Sequence, residues 1–203
     1  MRSTSPGLLA SSAVIVLALS GCAASDEPAS SETTTPETTT STEWPRTVPH
    51  EAGEATIDEA PLRIVSTSPS ITGSLLAIGA PVIASAATTP SGLTDDDGFF
   101  TQWADVAHER GVEIAYTDLE LDSDAIDLLE PDLIIGSSNG GDATVEAYDQ
   151  LSQIAPTVML DYGTVTWQEL ATELGEAVGL EDAAAETIAE YDSWVAEQAG
   201  LIA

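Results

Sequence analysis

The chain has 203 residues, of which 35 are acidic and only four are basic, all four of them arginine, for a net charge of −31. A surface of this charge repels a phosphate backbone, so nucleic acid is excluded as a partner, and contact of the protein surface with anionic lipid is disfavoured. The single cysteine excludes an intramolecular disulfide and any metal site built from several cysteines.

The first 21 residues have the organisation of a bacterial signal peptide. Arg2 precedes an apolar run from Leu8 to Leu19, which is shorter than the roughly 20 residues of a membrane span. The segment Leu19-Ser20-Gly21-Cys22 resembles the lipobox of bacterial lipoproteins, whose cysteine receives a diacylglyceryl group. We therefore expect Cys22 to be the lipid attachment site and the protein to lie on the extracytoplasmic face of the cell membrane. Simple cleavage beside an incidental cysteine is the alternative.

Residues 22–60 are interpreted as an acidic linker rich in serine, threonine and proline. The part from Ala23 to Glu43 has no large apolar side chain. Such a segment cannot bury enough surface to offset the entropy of ordering it, so the sequence predicts a disordered tether.

From Pro61 onward, short apolar runs alternate with amphipathic ones. The predicted strands are Arg63–Ser66, Pro81–Ala84, Val112–Tyr116, Asp132–Gly136 and Thr157–Leu160. The predicted helices are Ser70–Ile78, Phe99–Glu109, Asp122–Glu130, Thr144–Ile154, Trp167–Val178 and Glu181 to about Gln198. Strands separated regularly by helices indicate an α/β fold with a doubly wound parallel sheet, formed by residues 61–180.

A sheet of this kind binds its ligand at the carboxyl ends of its strands. The loops expected there are rich in hydroxyl groups, glycine and aromatic residues, and several lead into helix N-termini. Ordinary strand–helix turns have the same composition. The loop Gly136–Gly141 is neither a Walker loop nor a dinucleotide fingerprint.

An enzyme with this fold is the competing interpretation. The chain has no Gly-x-Ser-x-Gly elbow and only two histidines, and neither His50 nor His108 is placed as a general base. Catalysis is therefore not expected, and no catalytic or metal-ligating residue is predicted.

Several segments resemble one family of proteins, and the likeness runs from about Pro61 to the C-terminus. The segments include Arg63–Ser68, Thr72–Ile78, Ala80–Ser85, Ala87–Pro90, Asp97–Phe99, Gln102–Trp103, Pro131–Ile134, Gly140–Asp142, Tyr148–Ser152, Ile154–Thr157 and Leu174–Glu176. They are similar to bacterial ferric-enterobactin (catecholate siderophore) binding proteins, the substrate-binding components of iron-siderophore ABC importers.

The resemblance implies two α/β lobes bridged by a long helix, with the ligand in the cleft between them. Residues 61–180 would be the N-terminal lobe and residues 181–203 the start of the interlobe helix, with the second lobe missing from this chain. The implied partners are a ferric siderophore as cargo and a membrane permease dimer with its ATPase. No resident cofactor is implied.

Candidate ligand-binding residues are those near the expected cleft. They are Thr67, Ser68, Phe99, Trp103, Ser137, Ser138, Asn139 and Tyr162. Phe99 and Trp103 either stack on a catechol ring or pack in the core. Asp124 matches an acidic position that pairs with a permease arginine in related proteins, although an acid in the first turn of a helix is also favoured by the helix dipole.

The positive charges of the chain bear on the ligand class. A ferric tris-catecholate carries three negative charges, whereas only Arg46, Arg63 and Arg110 are positive after the signal peptide. Either the missing lobe supplies the compensating charge, or the ligand is a hydroxamate or mixed siderophore. Haem and cobalamin binding proteins share the two-lobed fold and stay as alternatives.

Overall fold

The computed structural model describes residues 44–202, without the side chain of Ile202. The predicted signal peptide, Cys22 and the linker as far as Glu43 lie outside this range. Among the helices of the described range, none is long and apolar enough to cross a membrane.

A five-stranded parallel sheet organises the chain, with the strand order β5-β4-β3-β6-β7. The strands are β3 (Ile64–Ser66), β4 (Val82–Ala86), β5 (Glu113–Tyr116), β6 (Leu133–Ser137) and β7 (Thr157–Leu160). The helices are α1 (Pro69–Ala77), α2 (Ala104–Arg110), α3 (Ser123–Leu128), α4 (Tyr148–Leu151), α5 (Trp167–Val178) and α6 (Glu181–Ile202). The predicted α/β class and the parallel sheet are confirmed.

Alternate residues of each strand pack on opposite faces of the sheet. Ile64 and Val158 contribute to a core cluster with residues of α1, α2 and α5, whereas their neighbours Val65 and Met159 contribute to a second cluster with residues of α3 and α4. This alternation follows from the two-residue period of a strand and places helices on both faces. The sheet is therefore doubly wound, as predicted.

Residues 44–60 correct the predicted linker. They contain an antiparallel hairpin of β1 (Arg46–His50) and β2 (Gly53–Ile57). Val48 and Ile57 are buried in the first core cluster, and the backbone N–H of Glu51 donates to the carbonyl of Met159 at 2.9 Å. Each strand has only one or two buried positions and β1 contains a proline, so the strand pattern in the sequence is weak.

Two predicted helices are shorter than expected. The segment 99–103 is a turn instead of the start of α2. The carboxylate of Asp95 accepts from the backbone N–H of Phe99 at 2.9 Å, and Thr94 and Phe100 form an isolated antiparallel β-bridge. The segment 144–151 begins as a 3₁₀ turn (Val145–Ala147) before α4, because the N–H of Thr144 donates to the carbonyl of Ser137. Side-chain and loop contacts thus replace the first helical turns.

Candidate functional site

The strand order reverses direction between β3 and β6, which defines the switch point of the sheet. From β3 the chain proceeds to β4 and β5 on one side, and it then returns to β6 and β7 on the other. In open α/β sheets the crevice beyond the carboxyl ends of the strands at this point is the usual ligand site. The loop after β3 contains Thr67 and Ser68, and the loop after β6 runs from Ser138 to Asp142. We call this side of the sheet the carboxyl edge and the opposite side the amino edge.

Asp142 connects three loops at the switch point. One carboxylate oxygen accepts from the Ser68 hydroxyl at 2.6 Å and from the Ser70 backbone N–H at 3.1 Å, and the other accepts from the Tyr162 hydroxyl at 2.7 Å. Asp142 is only 7% exposed. The carboxylate therefore occupies the N-terminus of α1, where the helix dipole favours a negative charge.

The predicted hydroxyl donors lie at the switch point, but their hydrogen bonds are internal. The Thr67 hydroxyl lies 2.7 Å from that of Thr144, and the Ser137 hydroxyl donates to the carbonyl of Asn139 at 2.7 Å. Thr67, Ser68 and Ser137 are fully buried. In this structure they stabilise the loops that form the floor of the site, and their role as ligand donors stays a prediction.

Close packing holds the floor against β7. A Cβ at Gly136 would lie 2.6 Å from the Thr67 hydroxyl, 2.7 Å from that of Thr144 and 2.8 Å from the sulfur of Met159. Real Cβ atoms do not approach neighbours so closely, so only glycine fits there. The hydroxyl pair is consequently held against the sheet.

Phe99 and Trp103 are packed in the core, which is one of the two roles that the sequence leaves open for them. Phe99 is 1% and Trp103 7% exposed, and their ring centroids lie 5.0 Å apart. Trp103 packs against Gly73 of α1, where a Cβ would lie 2.7 Å from the indole. The sequence could not separate the two roles, because an aromatic residue beside a helix serves either one.

The half-buried candidates Ser138, Asn139 and Tyr162 remain at the surface of the site. The Asn139 amide donates to Asp161, and the Tyr162 hydroxyl lies so close to Gly140 that a Cβ there would clash with it. The loops after β6 and β7 are therefore fixed to each other. Burial raises the pKa of Tyr162, and the neighbouring Asp142 acts in the same direction.

A cavity of about 220 Å³ opens beside this floor. Its lining residues are Thr67, Tyr116, Leu119, Leu121, Asp142, Ala143, Thr144, Glu146 and Ala147. Burial raises the pKa of Tyr116, with a further contribution from the charge of Asp142, so the phenol is neutral.

The sequence reasoning missed Tyr116, Asp142 and Thr144. An acid directly after a Gly-Gly pair at a strand end was the available signal for Asp142.

The arginines of the described range lie away from this cavity. Arg63 donates to the carbonyls of Leu129 and Glu130, just after α3, and Arg110 donates to the carbonyl of Leu76 at 2.8 Å. Arg46 donates to the carbonyl of Glu176 and pairs with Glu181. These contacts satisfy carbonyls at or near the C-termini of α3, α1 and α5.

Asp124 is exposed in the first turn of α3, which begins after β5 at the carboxyl edge. The neighbouring Asp122 accepts from the backbone N–H of Ala125 at 2.9 Å and caps the helix. The capping role therefore belongs to Asp122, and Asp124 presents its carboxylate to solvent.

Residues 64–199 match the sequence model of the periplasmic binding protein family. The chain belongs to this family. The predicted recognition is confirmed at this level, and the two core clusters and parallel sheet agree with it.

Named relatives of the chain are siderophore-binding proteins. It is 48% identical over 157 residues to the ferric enterobactin-binding periplasmic protein FepB of Escherichia coli O6:H1. The aligned region covers 77% of this chain and 49% of FepB. It is 30% identical over 185 residues to the probable siderophore-binding lipoprotein YfiY of Bacillus subtilis, and this aligned region covers 90% of this chain and 51% of YfiY. The crystal structure of holo-ViuP superposes with a TM-score of 0.70 at 42% identity, covering 76% of this chain and 51% of ViuP. The chain thus spans about half the length of the relatives it matches.

Proposed function

We propose that this protein is the extracytoplasmic substrate-binding component of an ABC importer and that it captures a ferric siderophore of the catecholate class. The observation that carries the proposal is the 48% identity with a ferric enterobactin-binding protein over 157 residues. The ferric siderophore is cargo, and the function requires no resident cofactor and no catalysis. The relatives are named as binding proteins, which agrees with the absence of predicted catalytic residues.

The carboxyl edge supports ligand binding through a preorganised floor. Its hydroxyl groups and Asp142 are already paired with one another, so ligand binding does not have to order them. The surfaces left for a ligand are the half-buried side chains of Ser138, Asn139 and Tyr162 and the cavity beside Tyr116. This lobe would contribute shape, aromatic surface and hydrogen bonds to the site.

A ferric hydroxamate is the second candidate, and the charge distribution favours it. The three described arginines are engaged with carbonyls near helix C-termini, whereas Asp142 and Glu146 lie beside the cavity. A trianionic complex gains nothing from that arrangement. A neutral or cationic trihydroxamate complex would be tolerated by it.

Titration of the full-length protein with the two siderophore classes separates the candidates. We expect ferric enterobactin to bind with a Kd of about micromolar or tighter by isothermal titration calorimetry, and ferric trihydroxamates to bind at least about tenfold more weakly. Hydroxamate binding without a catecholate response would replace the first candidate by the second. Binding of neither class would refute the proposed function.

Asp124 is the proposed docking residue for the permease. Its carboxylate is exposed at the carboxyl edge, where it is available to an arginine of the partner. Asp124→Ala should reduce siderophore-dependent iron uptake and leave ligand affinity unchanged. Asp127→Ala, an exposed acid on the same helix, is the matched control and should change neither quantity. A loss of affinity in Asp124→Ala would refute the docking role.

Cys22 is the proposed membrane attachment point. Replacement by serine should prevent incorporation of radiolabelled palmitate and release the protein from the membrane fraction. Incorporation that persists in Cys22→Ser would show that the anchor is elsewhere. Retention at the membrane without any label would identify a different mode of attachment.

A further inference from the structure

Three side chains that can bind a metal ion converge between the loop after β4 and helix α2. They are Asp95, Asp97 and His108, and their ligand atoms all lie within 4.8 Å of one another. The Nε2 atom of His108 lies 2.7 Å from a carboxylate oxygen of Asp95 and 3.9 Å from one of Asp97. None of the three residues lines the cavity beside the switch point. The cluster is therefore separate from the candidate ligand site.

The distances within the cluster fit coordination to one ion. Zinc lies about 2.0–2.2 Å from imidazole nitrogen and carboxylate oxygen ligands, so two atoms bound tetrahedrally to the same ion lie about 3.4 Å apart. The two distances from His108, 2.7 Å and 3.9 Å, lie on either side of this value. Small rotations of the side chains are therefore enough to bring the donors onto one ion.

The backbone orients the Asp95 carboxylate before any ion binds. Its Oδ1 atom accepts from the N–H of Asp97 at 3.0 Å and from the N–H of Phe99 at 2.9 Å. Its Oδ2 atom is the one that lies 2.7 Å from His108. The ring of Phe99 in turn lies 5.7 Å from the ring of His108. Hydrogen bonds that fix a ligand from behind are a regular part of metal sites, and they raise the affinity for the ion.

The donor set determines the class of ion. One imidazole nitrogen with two carboxylates suits a divalent transition metal such as Zn²⁺, and three protein ligands leave a position for water. Ca²⁺ takes roughly six to eight oxygen ligands, and Mg²⁺ prefers an octahedron of oxygens, so neither matches this set. The two carboxylates balance the charge of a divalent ion, and the net charge of −31 attracts cations to the surface.

We propose that Asp95, Asp97 and His108 form a binding site for a divalent transition metal ion. In the metal-free protein a hydrogen bond joins His108 to Asp95. When the ion binds, the Nε2 lone pair of His108 coordinates it, and the proton of that hydrogen bond passes to solvent. The ion would cross-link the loop after β4 to α2. This inference goes beyond the proposed function, because the ion would be a structural part of the lobe and not the transported cargo.

The local sequence pattern does not reveal this site. His108 follows Asp95 by 13 positions and lies on a different element of structure. The turn of the loop after β4 brings the two residues together. The proposed metal site therefore depends on the fold and not on a short motif.

Isothermal titration calorimetry of the tag-free full-length protein with ZnCl₂ tests the proposal. About 0.5 M NaCl in the buffer screens diffuse attraction of cations to the acidic surface. We expect one equivalent of Zn²⁺ to bind with a Kd of about 10 μM, and Ca²⁺ and Mg²⁺ to bind at least about tenfold more weakly. His108→Gln and Asp97→Asn should each weaken Zn²⁺ binding by at least about tenfold, since loss of even an outer-shell partner costs about 10–100-fold.

Asp96→Asn is the matched control for Asp97→Asn. Asp96 is the neighbouring exposed acid, so its substitution changes the net charge equally, but it is not part of the cluster. Its Kd for Zn²⁺ should stay within about twofold of the wild-type value. His50→Gln controls in the same way for the loss of a histidine. Zn²⁺ should raise the midpoint of thermal unfolding of the wild-type protein and of both controls, but not that of His108→Gln.

Two results would overturn the inference. The first is equal Zn²⁺ affinity in the wild-type protein and in His108→Gln, because the ions would then be held by the acidic surface in general. The second is the absence of Zn²⁺ binding by the wild-type protein. Asp97 and His108 are exposed, so both variants should fold, which far-UV circular dichroism checks. Neither result depends on siderophore binding, so the proposed function is tested separately.

Discussion

The two edges of the sheet use charge in opposite ways. At the amino edge, Arg46, Arg63 and Arg110 donate to carbonyls near the C-termini of α5, α3 and α1. At the carboxyl edge, acidic and hydroxyl side chains satisfy the N-termini of the same helices. Asp142 accepts from the first turn of α1, Asp122 caps α3, and Thr166 with Glu169 forms a capping box on α5.

This difference explains why the candidate site lacks positive charge. A helix has unsatisfied carbonyls at one end and unsatisfied N–H groups at the other, and in a parallel α/β sheet the two kinds of end lie at opposite edges. With three arginines in the described range, each engaged near a helix C-terminus, none is left at the edge where the ligand would bind. The N-termini of α1, α3 and α5 at that edge are occupied by the protein's own side-chain oxygen atoms.

Removal of the carboxylate at the carboxyl edge should have the largest effect. Asp142→Ala leaves the hydroxyls of Ser68 and Tyr162 and the N–H of Ser70 without their acceptor in a buried setting. We expect a loss of about 3 kcal/mol in the free energy of unfolding, measured by urea denaturation. Asp127→Ala, an exposed acid of α3, should change it by less than about 0.5 kcal/mol. Equal effects of the two variants would contradict the assigned role of Asp142.

At the amino edge, Arg46→Ala should cost about 2 kcal/mol of unfolding free energy. The guanidinium of Arg46 is half-buried, lies 4.2 Å from the centre of the Trp44 ring and pairs with Glu181 at 2.8 Å, so one substitution removes several contacts. Arg46→Met retains the apolar stem and should recover part of the loss. Equal stability of the alanine and wild-type proteins in urea denaturation would show that the contacts of Arg46 do not stabilise the hairpin.

A change of charge sign at one edge should alter binding, and at the other edge it should not. Glu146→Arg places a positive charge at the rim of the cavity, which on the proposed function should strengthen ferric enterobactin binding by about 1 kcal/mol at low salt. The gain should disappear at high ionic strength. Glu113→Arg, at the start of β5 on the amino edge, carries the same change in net charge and should leave the Kd unchanged. Equal gains from both variants would mean that net charge, and not its position, governs binding.

Much of the fold was readable from the sequence, because strand and helix periods depend on local patterns. The bounds of β7 and α5 agree with the prediction. The hairpin was missed because Val48, Ala55 and Ile57 are isolated apolar residues that are buried only through contact with the distant sheet. Tertiary contacts of this kind leave no mark in a local pattern.

The sequence predicts a site at the carboxyl edge, and this stays a prediction, but it does not give the hydrogen-bond partners of the side chains there. Whether Ser68 or Ser137 faces a ligand depends on which acceptor lies nearby. For Ser68 that acceptor is Asp142, 74 residues further along the chain. The same is true of Trp103, whose burial depends on its contact with Gly73. Sequence therefore indicated the place of the site, while the pairing of its polar groups required the three-dimensional arrangement.

The smallest expected effect concerns the two histidines, whose surroundings shift their pKa values in opposite directions. The hydrogen bond between His108 and Asp95, at 2.7 Å, raises the pKa of His108, with burial opposing it. Burial acts to raise the pKa of Asp95, but hydrogen bonds from His108 and from the backbone N–H groups of Phe99 and Asp97 hold it below its ordinary range. For His50, burial lowers the pKa, with the charge of Glu51 opposing it.

The two shifts give opposite signs for stability against pH. The contribution of His108 to the unfolding free energy is complete below the ordinary histidine pKa of about 6.5, and it is lost as the pH rises through the pKa of His108 in the folded protein. The contribution of Asp95 is lost in acid, below about pH 4. His108→Gln should therefore reduce the unfolding free energy between about pH 4 and 6.5, by about 0.5 kcal/mol because the pair is exposed, and should have no effect near pH 8.5. Because the pKa of His50 is lowered in the folded protein, this residue reduces the unfolding free energy as the pH falls below about 6.5. His50→Gln should therefore make the protein more resistant to acid over the same range. Urea denaturation at pH 5.5 and 8.5 tests both, and pH profiles that move in the same direction in the two variants would refute the assignment.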